Sequence, residues 1–115
     1  DNNVQLTINI RDNGNILATT GAMNLVSTSG NVFELDIVFV VRAIGAAGTA
    51  QLMTSGSFDY TKTSNLSPEV IPFNNLESTN FDTTTASTLD VTAEWGAASV
   101  NNSIDTHVVT LQRIF

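Results

Sequence analysis

"LDVTAEWGAASVNNSIDTHVVTLQ", residues 89–112, is the stretch whose reading decides the fold. Leu89, Val91, Ala93 and Trp95 alternate with Asp90, Thr92 and Glu94, a strict period of two that fits a strand with one covered face and not a helix of period 3.6. "GAASVNN", residues 96–102, is small, polar and turn-forming. From Ser103 to about Arg113 the alternation resumes and predicts a last strand, with His107, Val109, Leu111, Arg113 and Phe115 in one phase. An indole in register with Leu89, Val91 and Ala93 is expected to anchor a core. The sharper alternative is an exposed platform for stacking a sugar.

Working outward, the same period recurs. Val4, Leu6, Ile8 and Ile10 alternate with Gln5, Thr7, Asn9 and Arg11, and "DNGN", residues 12–15, follows. An Asn-Gly pair accepts positive φ at both central positions, so a tight hairpin turn is predicted there. Ile16 to about Val26, rich in Ala, Thr and Gly, is a weaker strand, closed by the turn "STSGN" at 27–31. "VFELDIVFVVRAI", residues 32–44, puts Phe33, Leu35, Ile37, Phe39, Val41 and Ala43 on one face. Its other face is polar at Glu34 and Asp36 but apolar at Val38 and Val40. A strand apolar on both faces is covered on both, so Val38 and Val40 mark either a subunit contact or a covering loop of the same chain. After "GAAGT" (45–49) another strand carries Ala50, Leu52, Phe58 and Tyr60 on one side, and Gly56 suggests a bulge or bend. Residues 61–80, with Pro68 and Pro72, read as a long connection over which Phe73 and Leu76 tuck onto the sheet. The result is seven or eight strands with turns every roughly 8–15 residues, an all-β antiparallel β-sandwich or jelly roll in a single domain, 1–115.

Composition agrees and removes several functions. Thr, Ser and Asn make up about a third of the chain and only 13% of residues are charged, against a usual share of about 25%. The net charge is −7, with Arg11, Arg42, Lys62 and Arg113 the only cations. Binding a nucleic-acid backbone requires a clustered basic patch, and anionic membranes disfavour the same balance. No apolar run approaches the ~20 residues that span a bilayer. With no cysteine there is no disulfide, thiol nucleophile or thiolate metal site. The chain begins at Asp1 without methionine or signal-peptide pattern, so it is expected to be a piece of a longer protein or a processed form.

Two stretches carry a family resemblance. "TLDVTAEWGAASVNNSI" resembles the closing motif, and "VRAIGAAGTAQLMTSGSFDY" the middle, of the C-terminal domain of tail-fibre, spike and collagen-like structural proteins of tailed phages and large DNA viruses. Together they span about the last 80 residues. The resemblance implies a jelly roll of the tumour-necrosis-factor/C1q type (TNF/C1q-like) that forms a homotrimer and carries no catalytic motif and no cofactor. On that basis the chain is expected to be the C-terminal head of a viral fibre, spike or tail protein. It would sit on the virion surface and present loops to a host-surface glycan or protein, with neither nucleic acid nor membrane insertion involved. A purely structural trimerisation or capsid-decoration module without receptor binding is the alternative.

Candidate site residues follow from these readings. If a ligand binds, it is expected in the long connection, where Asn65, Asn74 and Asn75, beside Lys62 and Glu69, supply donors and acceptors for sugar hydroxyls; the alternative is that 61–80 is only a sheet-crossing connection pinned by Pro68 and Pro72. Val38 and Val40 are the candidate oligomer interface. His107 stands alone without partners at ligand spacing, which favours a structural or interfacial role over a metal site. Asp12-Asn13-Gly14-Asn15 opens like a calcium loop, but Met23 stands where the bidentate glutamate belongs. Asp82 with Thr83, Thr84 and Thr85 is oxygen-rich enough to offer calcium a second place. Glu34/Asp36 and Asp90/Glu94 are same-face neighbours on strands, more in keeping with a solvated face than with a hydrolytic carboxylate pair. No nucleophile stands beside a base, and an enzymatic reading has no support.

Overall fold

The computed structural model describes residues 3–26, 30–63, 66–78, 81–86, 88–97, 102–106 and 108–112. Among them the chain is all-β, and all its strand pairs are antiparallel. β1 (Asn3–Asp12), β2 (Asn15–Thr19), β3 (Met23–Val26) and β7 (Leu89–Trp95) form one sheet; β4 (Phe33–Ala43), β5 (Gln51–Thr61) and β6 (Pro68–Ser78) form the other. The two sheets face one another like the layers of a sandwich, with β2 packed over β6 and β5.

β1 is the hub of the first sheet. β2 pairs with its C-terminal half, β3 with its N-terminal half, and β7 runs along Leu6–Asp12. β2 and β7 share partners on β1, so they flank it on opposite edges. Alternation buries Leu6, Ile8 and Ile10 almost completely. The hairpin turn is the type the sequence predicts: Asn13 and Gly14 have φ of 49° and 86°.

The weak strand expected over 16–26 is two strands. A register shift opposite Ile10 and Arg11 leaves Leu17 as the extra residue of a bulge, so Leu17 and Ala18 both turn inward and both are buried. The chain then steps out at 20–22. There the Thr20 N–H donates to the Ile8 carbonyl and the Thr20 hydroxyl accepts from the Ile8 N–H, each at 3.0 Å. Gly21, at φ 67°, completes the step, and β3 rejoins β1.

In the second sheet β5 is central. Gly56 is neither bulge nor bend: it pairs regularly with Ile37 on one side and Phe73 on the other. A β-carbon there would overlap the Asp36 carbonyl oxygen and come within 2.8 Å of the Phe73 ring, so glycine is required by close packing. The irregularities lie instead between Val41 and Ala43 and between Leu52 and Thr54.

Residues 68–78, expected to be part of an irregular connection, are an eleven-residue strand. β6 pairs only with β5 among the described residues, and an edge strand tolerates Pro72 because a proline lacking its N–H breaks no ladder on the open side. Phe73 is buried as expected, while the side chain of Leu76 lies outside the described residues.

Two core clusters lie between the sheets. One gathers Leu6, Ile8, Met23, Leu25, Phe58 and Tyr60, and the other Ile10, Leu17, Ala18, Leu52 and Phe73. Phe58 is their largest fully buried side chain, with ring centroids of Phe33 and Tyr60 at 5.7 and 5.9 Å.

The last strand expected from Ser103 to about Arg113 is not formed among the described residues. Residues 102–106 and 108–112 belong to no strand or turn, and Val108, Val109 and Leu111 are exposed. Among the described residues β7 is the last strand, and the observed architecture is an antiparallel β-sandwich of a four-stranded and a three-stranded sheet.

Candidate functional site

The outer face of β4–β5–β6 is built by register. Residues opposite one another across antiparallel strands share a face, which groups Val38 with Ser55 and Asn74, Val40 with Met53, and Glu34 with Asp59 and Val70. Val38, Ser55 and Asn74 are all exposed and Val40 is half-buried. Of the two explanations for Val38 and Val40, cover by a loop of the same chain does not hold at Val38 among the described residues. An interface candidate and a binding candidate, Val38 and Asn74, thus lie in one row on one face, an association their sequence separation does not reveal.

The other binding candidates separate from that row. Asn75 points the opposite way, between the sheets, where its side-chain amide donates to the Leu17 carbonyl at 2.6 Å and ties β6 to β2. Glu69 accepts from the Tyr60 hydroxyl at 2.6 Å and lies 4.0 Å from the Lys62 ammonium. The same hydroxyl accepts from the Val26 N–H at 2.9 Å, joining β3 to β5 and β6. Burial, then the bond to the Glu69 carboxylate, pushes the Tyr60 hydroxyl up to about 12. Asn75 therefore ties the sheets together directly and Glu69 does so through Tyr60, while Lys62 pairs with Glu69 within one sheet. Asn65 and His107 lie outside the described residues.

The acidic end of the outer face is electrostatically tense. Glu34 stands directly opposite Asp59, with Asp36 two residues along the same face. A hydrogen bond with Asp36, and then its negative charge, raise the Glu34 carboxyl above the usual range. The loop carrying Asp82 is organised around itself: one Asp82 carboxylate oxygen accepts from the Thr84 N–H at 2.8 Å and from its hydroxyl at 2.6 Å. Those bonds hold the Asp82 carboxyl below its ordinary value. Thr83 meanwhile donates its N–H to the Gly45 carbonyl and accepts the Gly45 N–H on its hydroxyl, at 2.9 and 2.7 Å. Among the described residues no three acidic or histidine side chains gather as a metal site.

Sequence reasoning missed two features. The first is Asn13, which besides forming its turn donates its side-chain amide to the Ala86 carbonyl and accepts from the Thr88 N–H, both at 3.0 Å, fixing the approach to β7. The second is an open groove of about 220 Å³ between β7 and β4, lined by Asp12, Leu17, Phe39, Val41, Leu52, Phe81 and Leu89. It is smaller than the ~300–1,000 Å³ of ordinary small-molecule sites.

Trp95 is half-buried against the first core cluster, with Ile104 packed on the same cluster. The indole is thus anchored on the core, though β7 itself is largely exposed.

Compared with known proteins, the chain matches no family model, no curated protein and no solved structure.

Proposed function

We propose that this chain is the head of a viral fibre, spike or tail protein, a jelly roll that assembles as a homotrimer and attaches to a host surface without performing chemistry. Two sequence stretches carry the resemblance, and the exposed row Val38–Ser55–Asn74 carries the assembly part of the reading. An apolar residue left exposed in mid-sheet, bordered by the half-buried Val40 and Met53, suits contact with a second copy. Asn74, in the same row, makes the rim of that contact the favoured place for a glycan or protein ligand.

A purely structural trimerisation or decoration module is the second reading. It draws support from Asn75, Lys62 and Glu69, whose polar groups serve the fold and not an exposed binding loop.

Light scattering separates assembly from its absence: a three-chain mass is expected, and a concentration-independent 12.2 kDa species overturns both readings. A glycan array then separates the two. Attachment that weakens in Asn65→Ala/Asn74→Ala with an unchanged melting temperature favours the first, and an assembled protein binding no glycan or host surface favours the second.

A further inference from the structure

The groove beside β7 and the segment 103–112 are each incomplete, and they are complementary. β7 pairs with β1 on one edge, and among the described residues no strand occupies its other edge. Its core-phase residues Leu89 and Val91 remain 44% and 54% exposed, although the β1 residues opposite them, Asp12 and Ile10, are buried. An unpaired edge above an open apolar groove is a template for one more strand. Asp12 adds a second, independent sign: it is 3% exposed, lines the groove, and its Oδ1 is buried with no hydrogen-bond partner. A buried carboxylate oxygen left unpaired is costly unless a donor or cation reaches it.

Segment 103–112 has what the groove lacks. Its sequence alternates like a strand, yet among the described residues it takes part in no strand pairing and no hydrogen bond. Ile104 holds its beginning on the core beside Trp95, and beyond that point Val108 and Val109 are each 82% exposed and Leu111 is 79% exposed. In the sequence Arg113 follows in the same alternation as Val109 and Leu111.

We infer that segment 103–112 is an eighth strand that adds antiparallel to the free edge of β7 in a second copy of this chain, laying Val109 and Leu111 over the groove. A second copy is favoured by the segment's own position. Within its own chain the segment is already placed off that edge, with Val108, Val109 and Leu111 all exposed on both faces and unpaired, which leaves the edge open to the same segment of another copy. Strand addition of this kind takes its affinity from main-chain hydrogen bonds and its register from alternate side chains. The inference rests on the assembly part of the function proposed above and adds to the Val38–Ser55–Asn74 row a second contact, on the other sheet.

The chain has no cysteine, so introduced ones report the contact directly. Asp90→Cys in one chain is mixed, under mild oxidation, with a chain of different mass carrying Thr106→Cys, Val108→Cys or Thr110→Cys, three registers of the same face. A disulfide joining the two masses is expected in at least one mixture. No such bond in any of them overturns the inference, as does a bond that forms only when Asp90→Cys and one of the other three changes are placed together in one chain. Light scattering of the full chain with Val109→Asp/Leu111→Asp gives the second readout. Both residues are exposed in the single chain, so its circular dichroism is expected to be unchanged while the assembled mass falls to one chain. An assembled mass that survives this change leaves the trimer reading standing and removes this contact from it.

Discussion

β1 and β7 run side by side in one sheet with the same alternation of apolar and polar residues, yet their fates differ. Leu6, Ile8 and Ile10 of β1 are sealed beneath the opposite sheet, while Leu89 and Val91 of β7, directly across from Asp12 and Ile10, stay open to water. The difference is not in the strands. β1 lies mid-sheet, between β2 and β7; β7 lies at the margin, and beyond it nothing closes the layer among the described residues. Alternation thus specifies which side of a strand is to be covered, and the neighbours decide whether it is. The same side chain is worth about 1.5–3 kcal/mol when fully buried and far less at an open margin.

The sharpest way to test that contrast is to cut into the sealed half. Phe58 is 2% exposed and links both sheets through Leu6, Met23 and Tyr60. Phe58→Ala is expected to cost about 3–5 kcal/mol, read as a fall in the denaturation midpoint; a loss under about 1 kcal/mol would mean the core is looser than its packing implies.

A smaller effect probes the polar clasp on the same half. Tyr60 is the only tyrosine, so its ionisation can be followed by absorbance without interference. Burial and the Glu69 carboxylate raise it to about 12 in the folded chain, above its ordinary value of about 10 when unfolded. The stabilisation this implies, on the order of 2 kcal/mol, is fully present below pH 10 and is lost as pH rises through 12. Tyr60→Phe should flatten that alkaline loss. A hydroxyl that titrates near its ordinary value would place it in water and break the link between β3 and β6.

These two regions also show what was legible in the residues. β1, the Asn13-Gly14 turn, β4 and β5 were read from period two and turn chemistry, because each lies next to the elements that complete it. β6 was not, since Pro68 and Pro72 argue against a strand and only its place at a sheet edge makes them tolerable. The strand expected after residue 103 is absent among the described residues for the opposite reason: its pattern is strand-like, but pattern does not say which edge, if any, the segment joins. Site residues were less legible still. The inward turn of Asn75 depends on the register of β6 against β5, and the row joining Val38 to Asn74 depends on pairings between residues far apart in sequence.

A third change tests how β7 is delivered to its margin. Asn13 anchors the approach to β7 through the Ala86 carbonyl and the Thr88 N–H. Asn13→Ala loses both bonds and strains a positive φ, for an expected cost of about 1–2 kcal/mol. Asn13→Gly relieves the backbone but keeps the loss of both bonds. If the glycine variant matches the unaltered protein, the anchor is energetically silent and only the turn conformation matters; a shared deficit shows that the side chain positions β7.

The smallest effect is the most informative about the open margin. Val91 is 54% exposed, so Val91→Ala in the single chain should change stability by no more than about 0.5 kcal/mol, as at an ordinary surface position. If a strand from another copy covers β7, the two lost methyl groups are withdrawn from water only in the assembled form, and the cost there rises to about 1–2 kcal/mol. The measurement is a pair of denaturation midpoints for the Val91→Ala variant and the unaltered chain, taken well below and well above the concentration at which scattering shows assembly. Ile10→Val, on the sealed strand across from Val91, supplies the control, because its cost should be the same at both concentrations. A Val91 penalty that is large and independent of concentration would show that β7 is covered within its own chain. The contrast between β1 and β7 would then disappear.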